Sequence, residues 1–101
     1  MMDKKMIKQA QQLQAKMAKV QEELASETVE ATSGGGAIAV VMNGQQEVQS
    51  IKISQEVVDP EDVELLEDMI LAAIKEASQK SRELAEKKMG GLTGGLKLPG
   101  M

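Results

Sequence analysis

Two long segments with helical spacing of apolar residues flank a shorter segment of strand-like alternation. In residues 3–26, apolar side chains recur at steps of four and three, which is the heptad spacing of packed helices; they are Met6, Ala10, Leu13, Met17, Val20 and Leu24. In the later segment, residues 65–77 are apolar on nearly every side, and polar residues take over from Ser78. The pattern predicts a long N-terminal helix and a long C-terminal helix.

The middle of the chain predicts a three-stranded antiparallel sheet, so the predicted fold class is α+β. The predicted strands are residues 28–32, 37–42 and 48–53. Gly34–Gly36 makes the first turn, and Asn43-Gly44 makes a hairpin turn that tolerates positive φ. Both faces of the second strand are apolar, so we expect it to be covered on both sides. Ile51 and Ile53 are expected to face inward.

Boundary residues divide the chain into one domain and a tail. Asp59 is a candidate N-cap for the second helix, with Pro60 at the first helical position. The predicted domain covers residues 1–89. Residues 90–101 are rich in glycine, leucine and proline, which indicates a flexible tail with a weak docking role for its leucines.

The apolar excess of the second helix predicts a homodimer. One face of a small sheet covers one stripe of a helix, so a helix that is apolar all round needs a second cover. The predicted interface residues are Leu66, Met69, Ile70, Ala73, Ile74 and Ala77.

Composition excludes most catalytic chemistry. The 101 residues include no His, Cys, Phe, Trp or Tyr, so thiolate nucleophiles, imidazole bases and ordinary zinc ligation are unavailable. The run of acids in residues 56–68 is typical of a helix start, and the glycine loop leads into a strand where a phosphate-binding loop would lead into a helix. We expect no enzyme activity, cofactor, metal or small-molecule substrate. No signal or membrane-spanning stretch is visible, which predicts a cytoplasmic protein.

Charge is distributed unevenly along the chain. The net charge is −4, yet residues 1–20 hold five lysines against Asp3, and a second basic group lies late in the second helix. The candidate DNA-binding residues are Lys4, Lys5, Lys8, Lys16, Lys19, Arg82, Lys87 and Lys88. Without aromatic side chains, single-strand binding by stacking is disfavoured, whereas duplex phosphates need only cations and backbone amides.

Several motifs, in order along the chain, resemble the YbaB/EbfC nucleoid-associated proteins. They are IKQAQQLQAKM at 7–17, the hairpin at 34–44, the segment at 66–73, and MGGLTGG at 89–95 with LPG at 98–100. The resemblance implies a bacterial, tweezer-like α+β homodimer that binds DNA in the nucleoid and affects nucleoid organisation and gene regulation. It also implies that the lysines of the first helix meet DNA. One departure is that Arg82 is the chain's single arginine, which disfavours bidentate guanine readout.

Two other functions stay open. A prefoldin-like chaperone subunit shares the helix–hairpin–helix plan, but it requires two helices that pair along their length. An accessory protein of replication or recombination would act through a protein partner, with the leucines of the tail as the docking element.

Overall fold

The computed structural model describes residues 3–92 and has the predicted α+β order. Its elements are α1 (Lys4–Ser26), β1 (Thr28–Ser33), β2 (Ile38–Asn43), β3 (Val48–Ile53) and α2 (Val63–Leu92), with short 3-10 turns at Gly34–Gly36 and Gln55–Val57. The α2 helix continues through Gly90 and Gly91, the first two residues of the predicted tail. The rest of the predicted tail lies outside the described residues.

The sheet is antiparallel in the order β1-β2-β3, and α2 covers one of its faces. The buried core joins the two layers and consists of Ala31, Ile38, Val40 and Met42 from the sheet and Ala73 and Ala77 from α2. Leu66, Met69, Ile70 and Ile74 are half-buried against this core. On the other face of β2, Ala39 and Val41 are also only half-buried, so the predicted full cover holds for one face alone.

Ile51 and Ile53 face the predicted side of the sheet but are not buried there. Ile53 pairs with Ile38 and Ile51 pairs with Val40, so both isoleucines lie on the face that α2 covers elsewhere. The helix nevertheless lies over β1 and β2 and stops short of β3. Ile51 and Ile53 therefore remain exposed, together with Val48 on the same strand.

Most of α1 projects from the body as an arm. Among its residues only Val20 and Leu24 are buried, and every residue from Lys4 to Lys19 is exposed. At a rise of about 1.5 Å per residue, α1 is roughly 34 Å long and α2 roughly 45 Å. The molecule measures 68 Å along its longest axis, so α1 must extend it well beyond α2. Asp3 caps the arm at its tip by accepting a 2.8 Å hydrogen bond from the Met6 amide.

The base of the arm is fixed by the buried side chain of Asn43. Its Nδ2 donates to the carbonyl of Ala25 at 3.1 Å and to Glu47 at 2.9 Å, and its Oδ1 accepts from the amides of Gln45 and Glu47. The Ser81 hydroxyl, also buried, donates to the Asn43 carbonyl at 2.7 Å. These bonds join α1, the β2–β3 turn and α2 at one point.

The same turn differs from the prediction in its backbone. The chain turns at Asn43-Gly44 as expected, but the positive φ of 64° occurs at Gln46, whereas Asn43 and Gly44 keep ordinary values. A hydrogen bond from the Gln46 amide to Ser81 Oγ, 3.2 Å long, accompanies that conformation. Glycine is required at 44 for space, because its amide donates to the Leu24 carbonyl at 2.8 Å.

The start of α2 is also displaced from the prediction. Asp62, rather than Asp59, caps the helix by accepting from the Leu65 amide at 3.3 Å. Asp59 instead accepts from the Glu61 amide at 2.9 Å and closes a separate turn that contains Pro60. Two acidic caps in series explain why the sequence pattern suggested an earlier helix start.

We predict that Gly44→Ala destabilises the protein by about 1–3 kcal/mol, the usual range for overpacking. The added Cβ would lie 2.6 Å from Leu24 Cδ2 and 3.0 Å from the Leu24 carbonyl oxygen. Chemical denaturation measures the change. The matched control is Gly90→Ala, where a Cβ meets open space within a helix and should stabilise by about 0.5–1 kcal/mol. Equal effects of the two substitutions would contradict the packing argument.

Candidate nucleic-acid interface

The predicted lysines of the first helix form one basic face on the arm. Lys4, Lys5, Lys8, Lys16 and Lys19 are all exposed. At 3.6 residues per turn they fall within an arc of about 120° around the helix. Within residues 3–92, none of the five takes part in an ion pair. The arm therefore presents cations whose charge is not neutralised by the protein.

The basic face has the length needed to follow a nucleic-acid backbone. Lys4 and Lys19 are separated by about 22 Å along the helix axis. Phosphates on one strand of B-DNA are spaced by about 3.4 Å along the duplex axis, so this face spans several of them. Long, flexible lysine side chains can adjust to those phosphates without a fixed register.

The second basic group, near the C-terminal end of α2, consists of Arg82, Lys87 and Lys88, and these residues differ in exposure. Arg82 and Lys87 are exposed. Arg82 borders a shallow cleft beside the β2–β3 turn, of about 250 Å³, together with Gln46 and Glu86. This places the arginine near the base of the arm, where it could extend the basic face toward the body.

Lys88 differs from the other candidate cations because it is paired with two carboxylates. Its Nζ lies 3.0 Å from a carboxylate oxygen of Glu23 and forms a second ion pair with Glu27. Glu23 lies in the last turn of α1 and Glu27 is the residue that caps its C-terminus, so two acids surround one cation. Their hydrogen bonds, that of Glu27 first and that of Glu23 second, raise the pKa of Lys88 above its ordinary value of 10.5. Lys88 clamps α2 to the base of the arm.

The acidic residues lie at the opposite end of the body. Ser33 at the end of β1 donates to the Met69 carbonyl at 2.6 Å, while Asn43 at the other end of the sheet meets Ser81. The N-terminal end of α2 therefore lies away from the arm. It carries Glu61, Asp62, Glu64, Glu67 and Asp68. The charges are separated along the molecule, with the cations at the projecting end.

Two other kinds of site are not found within residues 3–92. Those residues contain no group of three metal-ligating side chains. None of the helices in that range is both long enough and apolar enough to traverse a bilayer.

Comparison with known proteins identifies the family. The model of the YbaB/EbfC DNA-binding family matches residues 1–96. The chain belongs to the YbaB/EbfC DNA-binding family. A protein of Chloroflexus aurantiacus named nucleoid-associated protein is 60% identical over 97 residues, covering 96% of this chain and 97% of its own. A protein of the same name from Syntrophobacter fumaroxidans is 54% identical over 95 residues, covering 94% and 86%.

A solved structure supports the fold of this YbaB/EbfC chain. The crystal structure of an uncharacterized protein from Helicobacter pylori superposes with a TM-score of 0.81. The superposition covers 93% of this chain and 100% of the Helicobacter pylori chain, and the two sequences are 19% identical. Agreement at so low an identity extends to the fold and no further.

Sequence reasoning missed the residues that hold the arm of this YbaB/EbfC protein. Asn43 was assigned a turn, and Ser81 and the pair Glu23 and Glu27 were assigned no role. Glu23 in the last turn of α1 and Glu27 at its C-cap are four residues apart, and two acids at a helix end, where a cation is favoured, were the available signal. The cation that they bind is 61 residues or more further along the chain, beyond the reach of any local pattern.

We predict that the Lys88 clamp loses its stabilising effect at alkaline pH. Because the folded-state pKa is raised, the contribution is fully present below the unfolded value of 10.5 and is lost as pH rises through the folded value. Denaturant unfolding of the wild type and of Lys88→Met at several pH values measures this. The two stabilities should converge above pH 10.5. Lys87→Met is the matched control and should show no such convergence; a constant gap for Lys88→Met would contradict the prediction.

Proposed function

We propose that the protein binds duplex DNA as a homodimer, with low sequence specificity, through the lysine face of α1. Its proposed role is nucleoid organisation and gene regulation, in the cytoplasm and nucleoid of a bacterium. The observation that carries the proposal is the projecting arm with five exposed lysines free of ion pairs in the described structure. Membership of a DNA-binding family and relatives named nucleoid-associated proteins support it.

Low specificity follows from the kind of cation on the arm. Lysine contacts phosphates as a point charge, and such contacts position a protein without reading sequence. Bidentate recognition of guanine is mainly a property of arginine, and the single arginine, Arg82, lies on α2 near the base of the arm. Arg82 and Lys87 are therefore proposed as secondary contacts.

The homodimer is supported by an apolar face that the single chain leaves open. Val48, Ile51 and Ile53 on β3 are 39–45% exposed, although they share the sheet face that α2 covers over β1 and β2. On α2, Ile70, Leu71 and Ile74 add further apolar surface, in a groove that they line together with Glu67 and Asp68. Exposed residues on a sheet face that is otherwise buried indicate an interface.

The interface that we propose is narrower on α2 than the predicted set and adds residues of β3. Ala73 and Ala77 are fully buried in the core of the single chain, so they have no surface left for a partner and leave the set. Leu66 and Met69 are half-buried against the same core, with Met69 on the side of β1. Ile70 and Ile74 remain in the proposed interface, and the β3 residues join them. A second copy fits this face because it offers the same apolar groove in return.

The alternative functions differ in what they require of the helices. A prefoldin-like tentacle needs its two helices to pair along their length, but α1 is exposed from Lys4 to Lys19. That observation favours the DNA-binding proposal. An accessory role through a protein partner depends on the leucines of the tail, of which Leu96 and Leu98 lie outside the described residues.

We predict that Lys8→Gln/Lys19→Gln weakens duplex binding and flattens its salt dependence. Each lysine that neutralises a phosphate contributes about 0.9 to the slope of log affinity against log salt. Titration of a labelled duplex at several salt concentrations measures both effects. The matched control is Lys52→Gln/Lys75→Gln, which changes the net charge equally at two exposed lysines away from the arm.

For the control variant Lys52→Gln/Lys75→Gln, the slope of log affinity against log salt should stay close to the wild-type slope. If the arm variant binds like the wild type while Arg82→Gln/Lys87→Gln does not, the interface lies on late α2 instead. If the wild type itself fails to bind duplex at low salt, the partner-protein function replaces the proposal.

We predict that Ile51→Glu dissociates the homodimer into folded monomers. A carboxylate in a desolvated apolar seam costs several kcal/mol, whereas in the exposed β3 of a monomer it costs little. Sedimentation at micromolar concentration and circular dichroism on the same sample measure assembly and folding. Ser50→Glu, one residue away on the opposite sheet face, is the control and should remain dimeric. A monomeric wild type would contradict the proposal.

A further inference from the structure

The arm carries a second surface that neither the fold nor the DNA contact uses. On the side of α1 away from the lysines lies the first part of the heptad stripe, Met6, Ala10, Leu13 and Met17, which we call the arm stripe. Val20 and Leu24 continue the same stripe and are buried at the base of the arm. The arm stripe itself is exposed, with Met6, Leu13 and Met17 at 42–53%. A surface helix that needed only solubility would not keep apolar residues in this spacing.

The spacing specifies what the arm stripe can pack against. Alternate steps of four and three residues form the seam of two helices that cross at a small angle, and a strand or a flat sheet does not match it. Within residues 3–92 no other helix lies along the arm stripe. A second copy of the chain supplies a helix with the same spacing.

The arm stripe is complementary to itself in an antiparallel arrangement. When the centres of two arms meet between residues 11 and 12, Ala10 of each faces Leu13 of the other, so a small residue accepts a large one. Met6 then faces Met17, and methionine adapts to irregular gaps. Beside the seam, Lys16 faces Gln9 of the other copy, and no two lysines oppose each other. We propose that the arm stripe pairs in this way with the arm stripe of a second copy.

That second copy must belong to a different homodimer. Antiparallel pairing about the centre of the arm separates the two Leu24 positions by about 38 Å along the helices. The bodies then lie at opposite ends, and their β3 faces cannot meet. The chain would thus have two self-interfaces, one on β3 within a homodimer and one on the arm between homodimers.

The pairing is expected to be weak in solution and effective on DNA. A seam of this length buries less than about 1,200 Å², the range of transient contacts. Homodimers gathered on DNA would meet at high effective concentration, which strengthens the contact without new interactions. Apart from Lys16, which flanks the seam, the arm lysines point away from it, so the paired arms would present two separate basic faces, one for each of two duplex segments. This last consequence rests on the proposed DNA function; the pairing itself does not.

Cross-linking of engineered cysteines tests the pairing without DNA. The natural chain has no cysteine, so each introduced thiol is unique. The variants Ala10→Cys and Leu13→Cys, carrying different tags, are mixed at high concentration and treated with a short bis-maleimide. The yield of the cross-link between the two variants should exceed, by several-fold, the yield of the cross-link that Leu13→Cys forms with itself. Ala15→Cys, on the opposite side of the helix, is the control for random collision. A mixed yield equal to that control, or a dominant Leu13–Leu13 product indicating parallel pairing, would overturn the proposal.

Energy transfer between two labelled duplexes tests the consequence on DNA. The variant Leu13→Gln/Met17→Gln keeps the charge and helix propensity of the arm while removing two large apolar groups. Its affinity for a single duplex should stay within twofold of the wild-type affinity, while the energy transfer between duplexes should fall several-fold. Ala18→Gln, outside the arm stripe, should retain it. If the double variant gives as much energy transfer as the wild type, the proposal is overturned. If the wild type does not bind DNA at all, the proposed function fails and the cross-linking result decides the pairing.

Discussion

The buried amide of Asn43 is the contact on which the arrangement of the molecule depends. An amide removed from water without partners costs a few kcal/mol, so its full set of bonds restricts the positions of the groups around it. Those groups are the Ala25 carbonyl near the end of α1, the turn amides of Gln45 and Glu47, and, through the Asn43 carbonyl, Ser81 on α2. Beside this node, Lys88 joins the same two helices through Glu23 and Glu27. The direction of the arm is thereby set by polar contacts at its base.

Polar fixation at the base explains how a long helix can remain uncovered. Isolated helices are marginal in water, and most helical stability comes from packing of an apolar face. Here α1 packs only through Val20 and Leu24, and the remainder is supported by the Asp3 cap and by helix-favouring glutamine, lysine and alanine. The apolar residues left over on the arm and on β3 are the surfaces that we propose for assembly, because the core of the single chain is complete without them.

The sequence was sufficient for the elements and for the cations of the arm, and insufficient where two distant segments meet. Helical and alternating periodicity are local properties, so α1, the three strands and the exposed lysines were predicted correctly. The exposure of Ile51 and Ile53 depends on where α2 crosses the sheet, which no strand pattern contains. The pairing of Lys88 depends on acids at Glu23 and Glu27. The two acidic caps, Asp59 and Asp62, are locally equivalent, and only the tertiary path of the chain distinguishes them.

The separation of charge reconciles an acidic protein with a polyanionic partner. A net charge of −4 predicts repulsion only if all charges act together on the partner. At physiological ionic strength, electrostatic interactions between exposed charges decay over about 8 Å. The molecule is 68 Å long, and its acidic α2 start lies at the end of the sheet away from the arm. A duplex along the arm would therefore meet the five lysines that are unpaired within residues 3–92, with Glu23 and Glu27 at the base paired to Lys88, while a duplex approaching the acidic end would be repelled. Net charge describes such a molecule poorly, because the sign of the local field depends on which end is approached.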